Sequence, residues 1–473
     1  MHISNAFRAP RSACCLPHPP HTTIAVQRRT VEVAIIGAGV AGLEAARILR
    51  EHEVDFVLLE ARERIGGRVF TLRAPALPVP IELGAEFVHG SAPELRDVAR
   101  DAHLAVADID GERWQSAAGR LRPLDDFWKV LDVVMQRLGD KGTDRSFEQF
   151  LKTLPHGSKI ARSRALALQW VKGFHAADPA RVSEHALAEG GSPHDDAREQ
   201  RLGRAINGYD AVPQWIARDV IDRVRFGSVV TGIQWEPGGV RIEIREPNGE
   251  SKSAVEARAA IVTLPLGVLR AIPGEPGSVM FDPPLDAIEE KSAALAGMEM
   301  GAVLRVILHT REAFWTSEHF ARRAKSQNLD RLAFLHTSDR DFPIWWTSYP
   351  VLSPALVAWC GGPQARELGA LADEQIIERA ISALGRQFGF RQRDARKMVL
   401  ASWLHNWERD PFSRGAYSYM AVGGNESPAK LARPIKRTIF FAGEASDSEG
   451  RTGTVHGALA TGARAAKQLL RAL

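Results

Sequence analysis

VEVAIIGAGVAGLEAARIL, residues 31–49, is the stretch that decides the fold. Val31–Ile36 is a short apolar run bounded by glycine and reads as a buried parallel strand, and Gly42–Arg50 has helical character. Between them, Gly37-Ala38-Gly39-Val40-Ala41-Gly42 has the G-x-G-x-x-G spacing, here with a strand before it and a helix after it. That context makes the spacing a dinucleotide fingerprint. Gly37 permits the tight turn, Gly39 lets the backbone approach a pyrophosphate, and Gly42 allows helix and strand to pack closely. The helix N-terminus at Val40 and Ala41 offers free N–H groups and a positive dipole end to the same anion. A second strand, Val54–Leu59, completes a βαβ unit. Glu60 closes it, about 20 residues past the glycines, where a carboxylate accepts from ribose hydroxyls.

Working outward, Glu60-Ala61-Arg62-Glu63-Arg64-Ile65-Gly66-Gly67-Arg68 sets two glycines and an arginine just after the acid. A guanidinium there neutralises a diphosphate, and the glycines let the backbone come close. At the far end of the chain, Phe440-Phe441-Ala442-Gly443-Glu444-Ala445 is a strand, a turn and an acid placed for a ribityl hydroxyl. A helix starting near Thr454 points its N-terminus at a flavin carbonyl. Strand-like runs return in the middle: Val229–Trp235 and Val240–Arg245 flank Pro237-Gly238-Gly239 as a hairpin, followed by Ala259–Leu264. Residues 92–200 show no clean strand signal and read as a mostly helical insertion, with Leu95–Leu104, Leu124–Leu138 and Ala161–Val171 at helical spacing and Gly190–Asp196 as a loop. Val303–Leu308 and Ala355–Trp359 read as strands of a second sheet, and Asp373–Phe388 as a helix. The expected architecture is α/β. A Rossmann-like FAD-binding domain is assembled from 31–91, 201–292 and 408–473, and a mixed α+β, partly helical substrate-binding domain from 92–200 and 293–407.

The bulk composition agrees. The 473 residues exceed what one core usually supports, roughly 250–300 residues. With 45% hydrophobic and 25% charged residues, the chain has an ordinary globular composition. The net charge is +4 with no run of five Lys/Arg, so nucleic-acid binding has no footprint. The three cysteines, Cys14, Cys15 and Cys360, cannot form a disulfide framework, which fits a reducing, cytoplasmic setting. No apolar run reaches the roughly 18–20 residues of a membrane span. No metal-ligand pattern stands out. Residues 1–30 lack a continuous apolar segment and read as a disordered tail, with a processed targeting segment as the alternative.

Taken together, VAIIGAGVAGLEAARIL, LLEARERIGGRV, IELGAEFVHG, NGYDAVP, IVTLPLGVL, WERDPFSRGAYSYM and FFAGEASDSEGRTGTVHGA resemble, in that order, the flavin-containing amine oxidase family. That family includes monoamine and polyamine oxidases, L-amino-acid oxidases and flavin-type lysine demethylases; the polyamine-oxidase and demethylase branch is most similar. The resemblance implies oxidation of a primary or secondary amine, polyamine or monoamine, to an imine by hydride transfer to flavin N5. It places Gly84 and Ala85 against the flavin, with Glu86, Phe87 and His89 bordering the substrate cavity. Val230 would meet the adenine through its backbone, and Trp407 would pack beside the flavin ring. Tyr417 would wall an aromatic cage that orients the amine, with Thr454 and Val455 near the ring's carbonyls. His89 is either a substrate contact or a structural histidine. Glu86, Glu184, Glu189, Asp195 and Asp196 either attract a polycation or form a solvated face.

Two positions depart from the family pattern. Covalent members attach FAD to a cysteine just before the cage tyrosine; Ala416 stands there, which implies non-covalent FAD. The family's lysine, water-linked to flavin N5, is replaced in Gly301-Ala-Val-Leu-Arg305-Val-Ile-Leu by Arg305, a fixed fork that keeps its proton. Either Arg305 does the lysine's work through a rearranged water, or reduced flavin reacts slowly with oxygen and electrons pass to another acceptor. The alternative functions are an FAD-dependent dehydrogenase or desaturase of a non-amine substrate, and a flavin-binding scaffold without turnover.

Overall fold

The computed structural model describes residues 29–90, 92–117, 119–155, 157–190, 201–246, 252–324 and 329–473. Nearly all of the N-terminal tail and of the Gly190–Asp196 loop therefore lies outside the described residues.

An eight-stranded sheet carries the glycine motif. Its order is Val224–Arg225, Phe56–Leu59, Arg29–Ile36, Lys252–Val262, Gly239–Arg245, Val229–Glu236, Met280–Asp282, with Ile439–Phe441 also parallel to the end of Lys252–Val262. Strands from the start, middle and end of the chain thus meet in one sheet, as the α/β reading requires. The run Val33–Ile36 is apolar throughout because both faces are covered. Val33 and Ile35 pack with Leu43 of helix Val40–Glu51 and Leu459 of helix Val455–Leu470. Ala34 and Ile36 pack on the other side with Ile233, Ile242 and Phe441.

A second sheet of seven strands runs Val399–Leu404, Val303–Thr310, Ala355–Gly361, Ile344–Thr347, Leu332–Thr337, Glu112–Ala117, Arg120–Pro123. Helix Asp373–Phe388 covers it, burying Ile376, Ala380 and Leu384 on one stripe as its 3.6-residue period predicts.

The insertion is less helical than expected. It holds helices Pro93–Asp101, Phe127–Met135, Phe147–Thr153, Ser158–Gly173 and Glu184–Glu189, but also strands Val106–Asp108, Glu112–Ala117 and Arg120–Pro123. The strand Glu112–Ala117 reads ERWQSA, buries Trp114 and Ser116, and leaves Glu112, Gln115 and Ala117 exposed. Its period is two, but the alternation is between one tryptophan, one serine and polar neighbours, which a hydropathy pattern does not register. It pairs parallel with Leu332–Thr337, so the insertion contributes to the second sheet. A cavity of about 840 Å³ lies between the sheets, lined from both.

Candidate active site

At one end of the cavity is the glycine loop. Gly42 packs so closely that an added Cβ would stand 1.9 Å from the Gly37 carbonyl oxygen. Gly39 is the reverse case: an added Cβ would meet nothing within 4 Å, so its backbone is open to the cavity it lines. Gly66 N–H donates to the Ala38 carbonyl at 2.8 Å, joining the second glycine pair to the first, and Gly67 lines the same wall. Glu60, 3% exposed, accepts from the N–H of Ala38 at 2.8 Å and of Arg62 at 2.9 Å; burial raises its pKa against those two bonds. Val40, Ala41, Ala61, Arg62 and Val230 share this region of the lining. The Arg62 guanidinium is committed to Asp410 at 2.7 Å and Ser413 at 3.2 Å, which ties this loop to the segment leading into Ala416.

The middle of the cavity is organised by Glu444. Its carboxylate accepts from Arg68 at 2.8 Å, from the Ser418 N–H at 3.3 Å and hydroxyl at 2.7 Å, and from Gly453 N–H at 3.0 Å. Arg68 also donates to the Ala416 carbonyl at 2.8 Å. Three motifs far apart in sequence therefore converge on one carboxylate beside Gly443. Thr454 caps helix Val455–Leu470, its hydroxyl accepting from Gly457 N–H at 3.0 Å, and the helix start faces the cavity. An open glycine backbone, two helix N-termini and a buried acid along one elongated cavity fit the pyrophosphate, ribose and ring of FAD. Ala416 offers no thiol; the only cysteine among the described residues, Cys360, lies in the core of the second sheet.

Beyond this, segment 82–89 meets the second sheet. Trp407 donates its indole N–H to the Leu83 carbonyl at 2.8 Å, Gly84 and Ala85 line the wall, and Ala85 N–H donates to the Arg68 backbone carbonyl at 3.1 Å. Arg305, on strand Val303–Thr310, donates through Nη1 to the carbonyls of Glu82 at 2.7 Å and Gly84 at 2.6 Å. Its Nη2 is 3.2 Å from Glu86 Oε2, while Nε is buried without a partner. Glu86 is also 3.1 Å from Arg204 and accepts from the Trp346 indole at 3.2 Å. Arg305 is thus held by two backbone carbonyls and a carboxylate while it lines the cavity.

The chamber past Arg305 is aromatic. Tyr417 donates its hydroxyl to the Phe174 carbonyl at 2.7 Å, and Phe174 stacks on Trp170 at 4.2 Å. Phe87 packs against Trp346 at 5.5 Å, and His89 meets Phe174 edge-on at 5.5 Å. Burial, with His456 nearby, lowers the His89 pKa to about 4, and burial alone puts His175 at about 4, so both are neutral imidazoles. Glu86 is buried between two arginines rather than on a solvated face. Glu184 is buried on Arg145 and Glu189 accepts from Asn425, both away from the cavity lining; Asp195 and Asp196 lie outside the described residues. The sequence reading missed Arg204, Trp346, Phe174 and Trp170. None lies in a local signature: Trp346 comes from the second sheet, Trp170 and Phe174 from helix Ser158–Gly173 and its C-terminal end, and Arg204 from strand Leu202–Ala205, which pairs with Phe87–His89.

Among the described residues, no helix is long and apolar enough to cross a membrane.

The family described as flavin containing amine oxidoreductase matches residues 40–470. Polyamine oxidase 3 of Oryza sativa subsp. japonica is 27% identical, over 93% of this chain and 89% of its own. Polyamine oxidase 2 of Arabidopsis thaliana is likewise 27% identical over 93% and 88%. Among solved structures, putrescine oxidase bound to putrescine matches with a TM-score of 0.74 at 21% identity, covering 94% of this chain and all of that one (100%). Cyclohexylamine oxidase from Brevibacterium oxydans IH-35A matches at 0.72 and 20%, covering 93% and 99%.

Proposed function

The chain belongs to the flavin containing amine oxidoreductases, and from that premise we propose how its cavity oxidises an amine. The enzyme is an FAD-dependent amine oxidoreductase acting on a C–N bond of a primary or secondary amine, a polyamine or a monoamine. FAD, when bound, supplies a hydride acceptor for the amine's α-carbon. The observation that carries the reading is one continuous cavity from the open Gly39 backbone to the Trp407 and Tyr417 walls.

Glu60, Gly37–Gly42, Gly66–Arg68, Val230, Gly443, Thr454 and Val455 would hold the cofactor without a covalent bond. Trp407 and Tyr417 would orient the amine and exclude water, and neutral His89 and His175 add no charge to repel it. No side chain need take a proton from a neutral amine in this scheme, and the product imine hydrolyses in water. The acceptor for the electrons is oxygen or another oxidant, with Arg305 as the residue that sets which.

Tyr417→Ala tests the cage. Stopped-flow reduction should slow about tenfold or more, with the flavin spectrum retained; unchanged kinetics would remove Tyr417 from the amine site.

A further inference from the structure

Arg113 lies on strand Glu112–Ala117, opposite Phe334 in the parallel pairing, and faces the cavity at the end remote from Trp407 and Tyr417. Its guanidinium carbon is 4.8 Å from the ring centre of Phe127, 5.2 Å from Trp128 and 4.5 Å from Phe334. Among the described residues it has no carboxylate partner, and burial alone lowers its pKa, to about 10. It therefore stays charged, presenting five N–H donors with aromatic faces as their company. Leaving such donors unpaired in an enclosed site costs free energy that a ligand can recover.

A second side chain in the same place is also unpartnered. His336, 7% exposed, follows Phe334 by two residues on the same strand, and both of its ring nitrogens lack a hydrogen-bond partner. Its ring is 4.8 Å from Phe127, and burial, then Arg113, hold its pKa at about 3, so it is a neutral donor and acceptor. Both residues line the cavity.

No carboxylate of the cavity lining pairs with Arg113. Glu60 binds two backbone N–H groups, Glu86 two arginines and Glu444 Arg68, while Glu94 and Glu449 share Arg451 with Asp447 and Glu94 Oε2 is left without a partner. A second ammonium reaching the Arg113 end of the cavity would lie beside that cation, away from Glu94 and Glu449. The distance from the amine cage is several side chains: Tyr417 is bonded to Phe174, Phe174 stacks on Trp170, and Trp170 lies 6.0 Å from Phe127 beneath Arg113.

We propose that the substrate is an amine whose far end carries a carboxylate, an ω-amino carboxylate rather than a diamine or polyamine. Arg113 receives that carboxylate bidentately, and His336 adds a hydrogen bond. The inference rests on the amine-oxidoreductase reading and narrows its substrate class.

The test titrates the anaerobic holoenzyme with ω-aminoalkanoates and α,ω-diamines of matched chain length, with benzylamine as an uncharged-tail reference. Flavin bleaching and ligand-induced thermal shifts are both read. The wild type should favour the aminoalkanoate by about tenfold or more, as a charge-assisted pair requires. Arg113→Lys should keep part of that ratio, Arg113→Met should abolish it, and Arg113→Glu should invert it toward the diamine. Because the readout is a ratio within each variant, a general loss of stability does not mimic it. Diamines preferred by the wild type, or a ratio unmoved by Arg113→Glu, overturns the inference while leaving amine oxidation intact. No bleaching by either series or by benzylamine overturns it together with the reading it rests on.

Discussion

At position 305 a planar guanidinium spans two backbone carbonyls and a carboxylate, with tryptophans 346 and 359 at 5.3 and 5.4 Å from its carbon. A lysine would bring one point charge with rotatable donors and could not hold all three acceptors in this geometry. Arg305→Lys should therefore free space and donors beside the ring. Re-oxidation of the bleached flavin on admitting air is expected to speed up several-fold, with amine reduction preserved; an unchanged rate would show that Arg305 does not limit oxygen chemistry. Arg305→Met should instead cost about 3 kcal/mol in denaturant unfolding, because it strips one of two cations from a buried carboxylate. At this scale the sequence displayed some residues and hid others. Gly37, Gly39, Gly42 and Glu60 are legible because their work is done within one βαβ unit. The Arg204–Glu86–Arg305 cluster is not, because its members come from three distant segments and no local pattern distinguishes a buried arginine from a solvated one.

Among the elements, helix Val40–Glu51 depends on its approach to the first strand. Gly42→Ala would set a methyl 1.9 Å from the Gly37 oxygen, so the helix must move. A loss of about 2–3 kcal/mol is expected, with poor flavin retention, read as the difference in thermal unfolding with and without added FAD. Wild-type stability and flavin content would refute the tight-turn account. Strong elements were visible in advance: Asp373–Phe388 has the bounds its apolar stripe indicated. Glu112–Ala117 was invisible, since it is held by backbone pairing to Leu332–Thr337 and by one buried indole. That strand carries Arg113, so the substrate-selecting end of the cavity was the part least open to reading.

For the whole molecule, pH is a direct probe of the closed chamber. The half-buried imidazoles of His89 and His175, which line the cavity, are pushed down to about 4 and the buried His336 to about 3, against about 6.5 in an unfolded chain. Below about pH 6.5 the unfolded chain takes up protons that these three refuse, so their stabilisation is full above that pH and is lost as pH falls toward 4. Glu82 works the other way: burial raises its pKa to about 7, so it favours the folded state below about pH 4.5 and loses that contribution as pH rises to 7. Glu60, which burial also raises, acts as Glu82 does, and His456, which burial lowers, acts as the other imidazoles do; the imidazoles outnumber the carboxyls, and chemical unfolding should show stability falling from pH 7 to 5. His336→Phe should make that fall shallower by at most about 3 kcal/mol at the acid end; an identical slope would mean that the imidazole is solvated. The assembly of one sheet from the first, middle and last strands was foreseeable, because complementary halves of a nucleotide site stood at opposite ends of the chain. The cavity's shape and its paired charges were not, since they exist only where the two sheets meet.

The central claim is that this cavity holds FAD and passes it a hydride from an amine. The most direct measurement is the visible spectrum of the purified protein, mixed without oxygen against a panel of monoamines, diamines, polyamines and amino carboxylates. The account expects a flavin band released by denaturation without proteolysis, as for a non-covalent cofactor, and bleached by at least one amine class. A bound flavin that no amine bleaches would contradict it.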